Sequence, residues 1–416
     1  MRKFNGFILL TILSLFVTGD VFSQSVWYTR YFSNIGGNQL RRVQFTTSLI
    51  GYSAGGNGTF MKTIDGGDTW STISIGSNPY ISSIFFLNQN TGWLGTSSSS
   101  IAKTTDGGTT WALLPIPTTS FTASLHFIND QTGFASSNGG KILKTVNGGT
   151  NWVNIAPSNI PWGEIQFLTE NTGYVLQHYD VYRTTNSGVS WSTVLHNSGG
   201  INYFQEMDFI NGATGWVTIT GQIAKTTNAG DTWAFQPIAM NRPMAVKFLD
   251  ENIGWCVGYN DNFSNTSGVV TATRNGGANW VTQTVIPNNV FWDVSFIDQN
   301  LGWASGNSSL SFTANGSLVS VTPVSTQTPD AFSLNQNYPN PFNPTTNIKF
   351  AITKSDFVTL KIYSMNGAEV KTVVNEKMNI GSYEVSFDAA GLTSGTYFYT
   401  LQSGEFKETK RMMLIK

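Results

Sequence analysis

Six nonapeptides of one pattern recur along the chain: KTIDGGDTW from residue 62, KTTDGGTTW from 103, KTVNGGTNW from 144, RTTNSGVSW from 183, KTTNAGDTW from 225 and ATRNGGANW from 272. Their tryptophans, Trp70, Trp111, Trp152, Trp191, Trp233 and Trp280, lie 41, 41, 39, 42 and 47 residues apart. Self-similarity at a period of about 40 means stacked supersecondary units, and it constrains the fold before any single residue does. The fourth position of this box is Asp65 or Asp106 in two copies and Asn147, Asn186, Asn228 or Asn275 in the others. A catalytic carboxylate does not tolerate exchange for an amide. An oxygen that accepts backbone N–H groups within a turn does, because Asp and Asn both make that bond. The glycines that follow supply the positive φ such a turn needs. The box is therefore read as architecture.

A second column lies between the boxes. Phe45, Phe86, Phe127, Phe167, Phe209, Phe248 and Phe296 each stand six residues before a glycine (Gly51, Gly92, Gly133, Gly173, Gly215, Gly254, Gly302), and an aromatic residue follows every one of these glycines. That makes seven units. Each reads as four short strands: one carrying the Phe with an aliphatic two residues earlier, one carrying the Gly-aromatic pair, one ending in the box and one starting at the box Trp. Four-stranded antiparallel units repeated radially make a β-propeller, which leaves only short protected edges; a solenoid of the same units is the alternative. Trp27 lies 24 residues before Gly51, in phase with the box tryptophans although no box precedes it. The stretch SFTANGSLVS (311–320) is a degenerate box without its Trp. The N-terminal strand is therefore expected to complete the seventh blade.

The box core, [ST]-x-[DN]-x-G-x-x-W, resembles the Asp-box or sialidase-type repeat. With the Phe-to-Gly column it looks most like the propellers of the photosystem II assembly factor family, with sortilin and xyloglucan-hydrolase propellers as more distant relatives. The resemblance spans about residues 25–322 and implies fold more than function, because such boxes mark turns in many unrelated proteins.

The composition changes near residue 322, where TPVSTQTPDA forms a polar linker. In the following FSLNQNYPNPFNPTTNIKFAI, Pro339, Pro341 and Pro344 forbid helix. Alternating runs at Val358/Leu360/Ile362 and Tyr383/Val385/Phe387, with an Asn366-Gly367 turn, read as a small β-sandwich. NYPNPFNPTT, LKIYSMNG, SGTYFYTL and the closing KRMMLIK closely resemble the C-terminal sorting domain of the type IX secretion system of the Bacteroidetes and relatives. That resemblance implies a signal read by type IX secretion machinery through residues 332–416, and it argues against a photosynthetic role for the propeller. The expected class is all-β, a seven-bladed β-propeller followed by a small β-sandwich. The expected divisions are a signal peptide (1–23), the propeller (24–322), a linker (323–331) and the sorting domain (332–416).

The signal peptide rests on a basic start (Arg2, Lys3), an apolar run to Val17 and small residues before Gln24. No other segment is long and apolar enough to cross a bilayer, so no integral membrane span is expected in the mature chain. The route is then through the periplasm to the outer-membrane surface or the medium. Net charge is −1, which favours neither nucleic acid nor an anionic membrane. The single cysteine, Cys256, excludes an internal disulfide framework and reads as a small buried hydrophobe.

Chemical motifs are absent from the sequence. No phosphate-binding loop, dinucleotide fingerprint or Gly-x-Ser-x-Gly elbow occurs, and His126, His178 and His196 have no metal-ligand spacing. No catalytic residue, cofactor or metal is expected. Departures from the repeat say more. Trp162 and Trp292 enter the first strand of two blades, at about the level of Tyr80, Tyr203 and Arg242. Nine residues before the column glycines stand Arg42, Ser83, Ser124, Glu164, Glu206, Ala245 and Asp293. The first strand of a blade is innermost, so these residues are expected to ring one mouth of the central channel. The longer YNDNFSNTSG (259–268) is expected as a loop on the same face. Arg42, Tyr80, Trp162, Glu164, Tyr203, Glu206, Arg242, Trp292 and Asp293 form the candidate binding set, suited to an extracellular protein or glycan. The alternatives are a glycosidase using Glu164, Glu206 or Asp293 as acid and base, and a surface scaffold or adhesin whose aromatics merely plug the channel.

Overall fold

The computed structural model describes residues 21–22, 27–32, 35, 39–76, 79–118, 121–156, 163–177, 179–198, 203–262, 265–313, 320–325, 329–378, 380–389 and 392–416. The chain divides into two compact units, Gln24–Leu318 and Val319–Lys416, the first 23 residues grouping with the second.

Seven four-stranded antiparallel sheets make up the first unit. Blade one runs outward from Leu40–Phe45 through Gly51–Gly55 and Phe60–Thr63 to Ser71–Thr72. Blades two to six repeat this order with consecutive strands. Blade seven draws three strands from 291–313 and its outermost, Tyr28–Tyr31, from the start of the chain, with Tyr28 opposite Phe312 and Tyr31 opposite Ser309. This is the closure expected from the phase of Trp27, and it removes the open ends a solenoid would have.

The two sequence columns are the two halves of one interaction. A Cβ built on each column glycine would meet the ring of its own blade's column phenylalanine at 2.1–2.6 Å, so the Phe lies directly over bare backbone. The aromatic after the glycine then stacks on the Phe of the next blade, with ring centroids 3.5–3.7 Å apart in all seven cases. The seventh stack, Trp303 on Phe45, joins blade seven to blade one. A box Trp meets the edge of each Phe at 5.8–6.1 Å in a T-shaped arrangement, and Trp27 takes this place for Phe296.

The boxes are hydrogen-bonded turns. Thr104 Oγ1 donates to Asp106 Oδ1 (2.8 Å) and accepts the Gly108 N–H (2.9 Å), while Asp106 Oδ1 also accepts the Thr110 N–H (2.9 Å). Asn147 does the same with an amide oxygen, from Thr145 Oγ1 (3.0 Å) and the Asn151 N–H (2.9 Å). Hydrogen bonds, from Thr110 first, pull the Asp106 carboxyl down to about 2. The carboxylate serves the turn, which is why the amide can replace it.

The second unit has two sheets over one core that includes Ile348, Phe350, Leu360, Ile362, Val385, Tyr399 and Met412. The Asn-Pro-rich segment is stapled to the closing strand, Phe406–Leu414. Phe342 N–H donates to the Met413 carbonyl, the Phe342 carbonyl accepts the Ile415 N–H (both 3.0 Å), and Asn340 Oδ1 accepts the Met413 N–H (2.9 Å). The propeller ends earlier than the expected residue 322. Ser320–Ser325 pairs with Gly381–Asp388, so this stretch is a strand of the second unit and not propeller or linker. Residues 259–268 likewise differ from expectation. Residues 259–262 and 265–268 prolong a hairpin of two nine-residue strands, Gly254–Asn262 and Asn265–Thr273, because they keep the ladder register.

Gly133→Ala should cost about 1–3 kcal/mol, because its Cβ would meet Phe127 at 2.4 Å and that ring is held by Trp93 and Trp152. Asp106→Asn should leave the denaturation midpoint unchanged. An unaffected Gly133→Ala variant in urea titration would refute the role given to the column. Deleting 27–31 should expose the Ser309–Thr313 edge and drive aggregation, visible by size-exclusion chromatography.

Candidate channel site

The innermost strands alternate. Val43 and Phe45 point into the blade core, whereas Arg42 and Gln44 point to the axis. Residues from all seven blades line a cavity of about 310 Å³ on that axis. An innermost strand is a sheet edge, so its outward N–H groups lack ladder partners. Side chains from the preceding blade supply them at two levels. Nine residues before the column glycine, Ser83, Ser124, Glu164 and Asp293 accept the N–H of Leu125, Ile165, Met207 and Val43 at 2.9–3.3 Å. Seven residues before it, Gln44, Gln166, Asp208 and Ser295 accept the N–H of Phe86, Phe209, Phe248 and Phe45 at 2.7–3.0 Å. Where Ala245 offers no acceptor, Asp293 Oδ1 takes the N–H of Val294 (2.7 Å) while its Oδ2 holds Val43.

The channel holds four carboxylates, Glu164, Glu206, Asp208 and Asp293, with Arg42, Lys247 and His126. Lys247 Nζ pairs with Asp208 at 2.9 Å, and that aspartate raises the ammonium. Arg42 Nε donates to the Ser82 carbonyl (3.0 Å). Burial acts to lower the Arg42 guanidinium, but Asp293, Glu206 and Glu164 outweigh it, so it is raised. Burial lifts the Glu164 carboxyl to about 8, against the pull of Arg42, and lifts Glu206 well above its ordinary range with Glu164 and Asp293 adding to it. Burial also raises Asp293, opposed by Arg42 and two backbone N–H groups. The two glutamates keep some accessible surface because they face the channel, yet protein surrounds them on every side. His126 is driven down to about 4 by burial and Lys247, so it is neutral.

One mouth of the channel is shaped by β-bulges. In six blades the pairing register slips just before or at the residue nine before the column glycine. A bulge turns a side chain out of the ladder. Arg41, Ser82, Ala123, Gln205, Met244 and Trp292, one residue earlier, are thereby brought to a second cavity of about 220 Å³ with Tyr80, Phe121, Arg42 and Glu206. Trp292 forms a fixed wall: its Nε1 donates to Asn307 Oδ1 (3.0 Å), Tyr259 of the long hairpin lies 6.1 Å away, and the Arg41 guanidinium sits 4.1 Å from the ring. Arg41 is itself held by Gln39 Oε1 at 2.6 and 2.9 Å.

Of the sequence candidates, Arg42, Tyr80, Glu206 and Trp292 therefore line the mouth, and Arg42, Glu164, Glu206 and Asp293 the channel. Tyr203 lines neither cavity and lies 5.2 Å from Tyr179. Arg242 is exposed opposite Tyr259, also away from both. Trp162 lies outside the described residues, as does His178. The sequence reading missed the level seven residues before the glycine, including His126, Asp208 and Lys247. A period of two from the preceding level would have found it.

Raised carboxyls give a signed pH dependence. The folded state keeps protons on Glu164 that the unfolded chain, at about 4.3, has lost. The resulting stability is fully present below about pH 4 and disappears as pH rises through about 8. Thermal midpoints should therefore fall from about pH 5 to about pH 9, and Glu164→Gln should flatten the slope. A midpoint that climbs over this range in differential scanning calorimetry would count against the assignment.

Residues 336–416 match the family model for a secretion system C-terminal sorting domain. Residues 69–205 match the model for the photosynthesis system II assembly factor YCF48, a propeller of BNR repeats. No curated protein sequence matches significantly. Among solved structures, one described as YCF48 bound to D1 peptide is 19% identical, with a TM-score of 0.58, over 70% of this chain and 97% of that one. A Niastella koreensis GH74 enzyme is 11% identical, with a TM-score of 0.55, over 90% and 66%. PorZ of Porphyromonas gingivalis, described as a surface component of the type IX secretion system, is 13% identical, with a TM-score of 0.50, over 92% and 60%. At these identities the likeness is one of fold. The chain is a seven-bladed propeller with YCF48-like BNR repeats, carrying a type IX secretion C-terminal sorting domain.

Proposed function

We propose that the propeller is an exported, non-enzymatic receptor that holds an extended segment of a protein partner at the bulge-lined mouth. The sorting tail marks the chain for type IX secretion to the cell surface or exterior. The mouth carries the reading: a partly aromatic cavity lined by an immobilised Trp292, by Tyr80 and Phe121, and by polar groups that include Arg42 and Glu206. Rigid aromatic walls with a few placed polar groups suit peptide recognition. A fold relative described with a bound peptide makes that ligand class the first to test.

The fold likeness to a GH74 enzyme and the raised Glu164 favour hydrolysis as the second reading. A two-carboxylate mechanism needs both groups free to reach the substrate. Glu164 and Asp293 already accept backbone N–H groups, which leaves Glu206 without a second uncommitted acid among these three.

The chain from residue 24 onward should select peptides on a random peptide array. Trp292→Ala and Tyr80→Ala should each weaken binding about tenfold or more at unchanged melting temperature. Binding of glycans alone would replace the ligand class, and unaltered binding in both variants would remove the mouth from consideration. Deleting KRMMLIK, which removes much of the closing strand and its contacts to Phe342 and Asn340, should leave the protein in the periplasm. Cell fractionation reads this directly, and normal surface appearance would contradict the assigned route.

A further inference from the structure

The channel behind the mouth holds more acids than bases, and burial keeps Glu164 and Glu206 protonated in the free protein. Four carboxylates face two cations, and one cation, Lys247, is spent on Asp208. Arg42 uses its Nε on the Ser82 carbonyl and makes no ion pair with any carboxylate among the described residues. Glu206 is the sharpest case. It occupies the level at which Glu164 and Asp293 cap the next blade, yet its carboxylate makes no hydrogen bond or ion pair among the described residues. It also lines both the mouth cavity and the channel cavity, as Arg42 does, so it stands between the two. A carboxyl enclosed by protein without a partner keeps its proton, and ionising it there calls for a counter-charge. Among the described residues no group of three or more acids, histidines and cysteines is arranged to hold a metal ion. The missing charge is better matched by an organic cation reaching in from the mouth. Around it would stand Glu164, Asp293 and Arg42, with Asp208, Lys247 and neutral His126 also lining the channel.

We propose that Glu206 receives the ammonium or guanidinium end of a lysine or arginine side chain, carried by the peptide at the mouth and lowered along the Trp292 wall into the channel. The aliphatic stem lies against Trp292, Phe121 and Met244, and the head reaches the acids. The inference rests on the mouth as a peptide site, but its chemistry can be read without a peptide. A bound cation keeps the channel acids ionised, so protons carried by Glu206 and Glu164 in the free protein pass to the buffer on binding.

The test uses the chain from residue 24 onward with n-butylammonium as probe and n-butanol as its uncharged match. Saturation-transfer NMR should show contact with butylammonium and not with butanol, and Glu206→Gln should abolish it. Calorimetry of the wild type in buffers of different ionisation enthalpy should register proton release, a readout independent of the variant's folding. Mouth-binding peptides with a lysine should bind about tenfold tighter than their norleucine counterparts, a preference lost in Glu206→Gln. Absence of butylammonium contact, contact that survives Glu206→Gln, or binding without proton release would each overturn the cation site. Equal affinity for lysine and norleucine peptides, both lost in Trp292→Ala, would overturn it while sparing the mouth. Butylammonium held through Glu206 with no peptide bound would support the cation site and sink the peptide reading.

Discussion

The stack of one blade's aromatic on the next blade's phenylalanine is the contact on which the propeller depends. It needs three residues at once: a Phe, a glycine bare enough for that Phe to lie on it, and an aromatic from the neighbouring blade. Aromatic pairs contribute about 0.5–1.5 kcal/mol beyond their buried area. Here each Phe is pinned on three sides, by the glycine backbone, the stacked ring and the edge of a box Trp. The ring closes only because Trp303 reaches Phe45 and Trp27 fills the position for which blade seven has no box Trp. A strand of four residues at the start of the chain thus completes a blade built some 280 residues later in sequence.

This arrangement could be read in advance because it rests on near-invariant columns. The Asp/Asn exchange in the boxes showed a turn acceptor, and the phase of Trp27 showed the closure. The pattern failed where packing, not repetition, decides. In sequence, residues up to 322 group with the propeller and 323–331 read as a linker, and only the pairing of Ser320–Ser325 with Gly381–Asp388 shows that this stretch is a strand of the second unit. Tyr203 and Arg242 share a level with Tyr80 in sequence. They part from it in space because the strand path before each bulge differs, and no propensity encodes that path. The bulges themselves, which bring Trp292 and Met244 to the mouth, leave no mark in the composition.

Most polar residues of the channel are there because an inner strand is an edge. Its N–H groups must be satisfied within the protein. The preceding blade provides an acceptor at both levels in several blades, and among the described residues Glu206 is the acid that does not. This explains why the levels seven and nine residues before each column glycine are rich in Ser, Gln, Asp and Glu. Binding residues and framework residues are therefore the same kinds of residue in the same places, and sequence alone separates them poorly.

Capping does not, however, require charge. Gln44 and Gln166 accept the N–H of the next phenylalanine and also donate Nε2 to its carbonyl at 2.9 and 3.0 Å, doing more for the fold than an acid could. Serines do the same duty at Ser83, Ser124 and Ser295. Glu164, Asp208 and Asp293 accept comparable bonds, and burial raises Glu164 and Asp293 because ionising an acid there carries a desolvation cost. Lys247 offsets that cost for Asp208 through a direct pair, and Arg42 opposes it for Glu164 and Asp293. The remaining acids, with an uncommitted Glu206 between them and the mouth, exceed what the framework needs. A fold that closes with amides and hydroxyls at equivalent positions gains nothing in stability from this surplus. On the reading proposed above, the surplus acids of the channel serve what the channel receives.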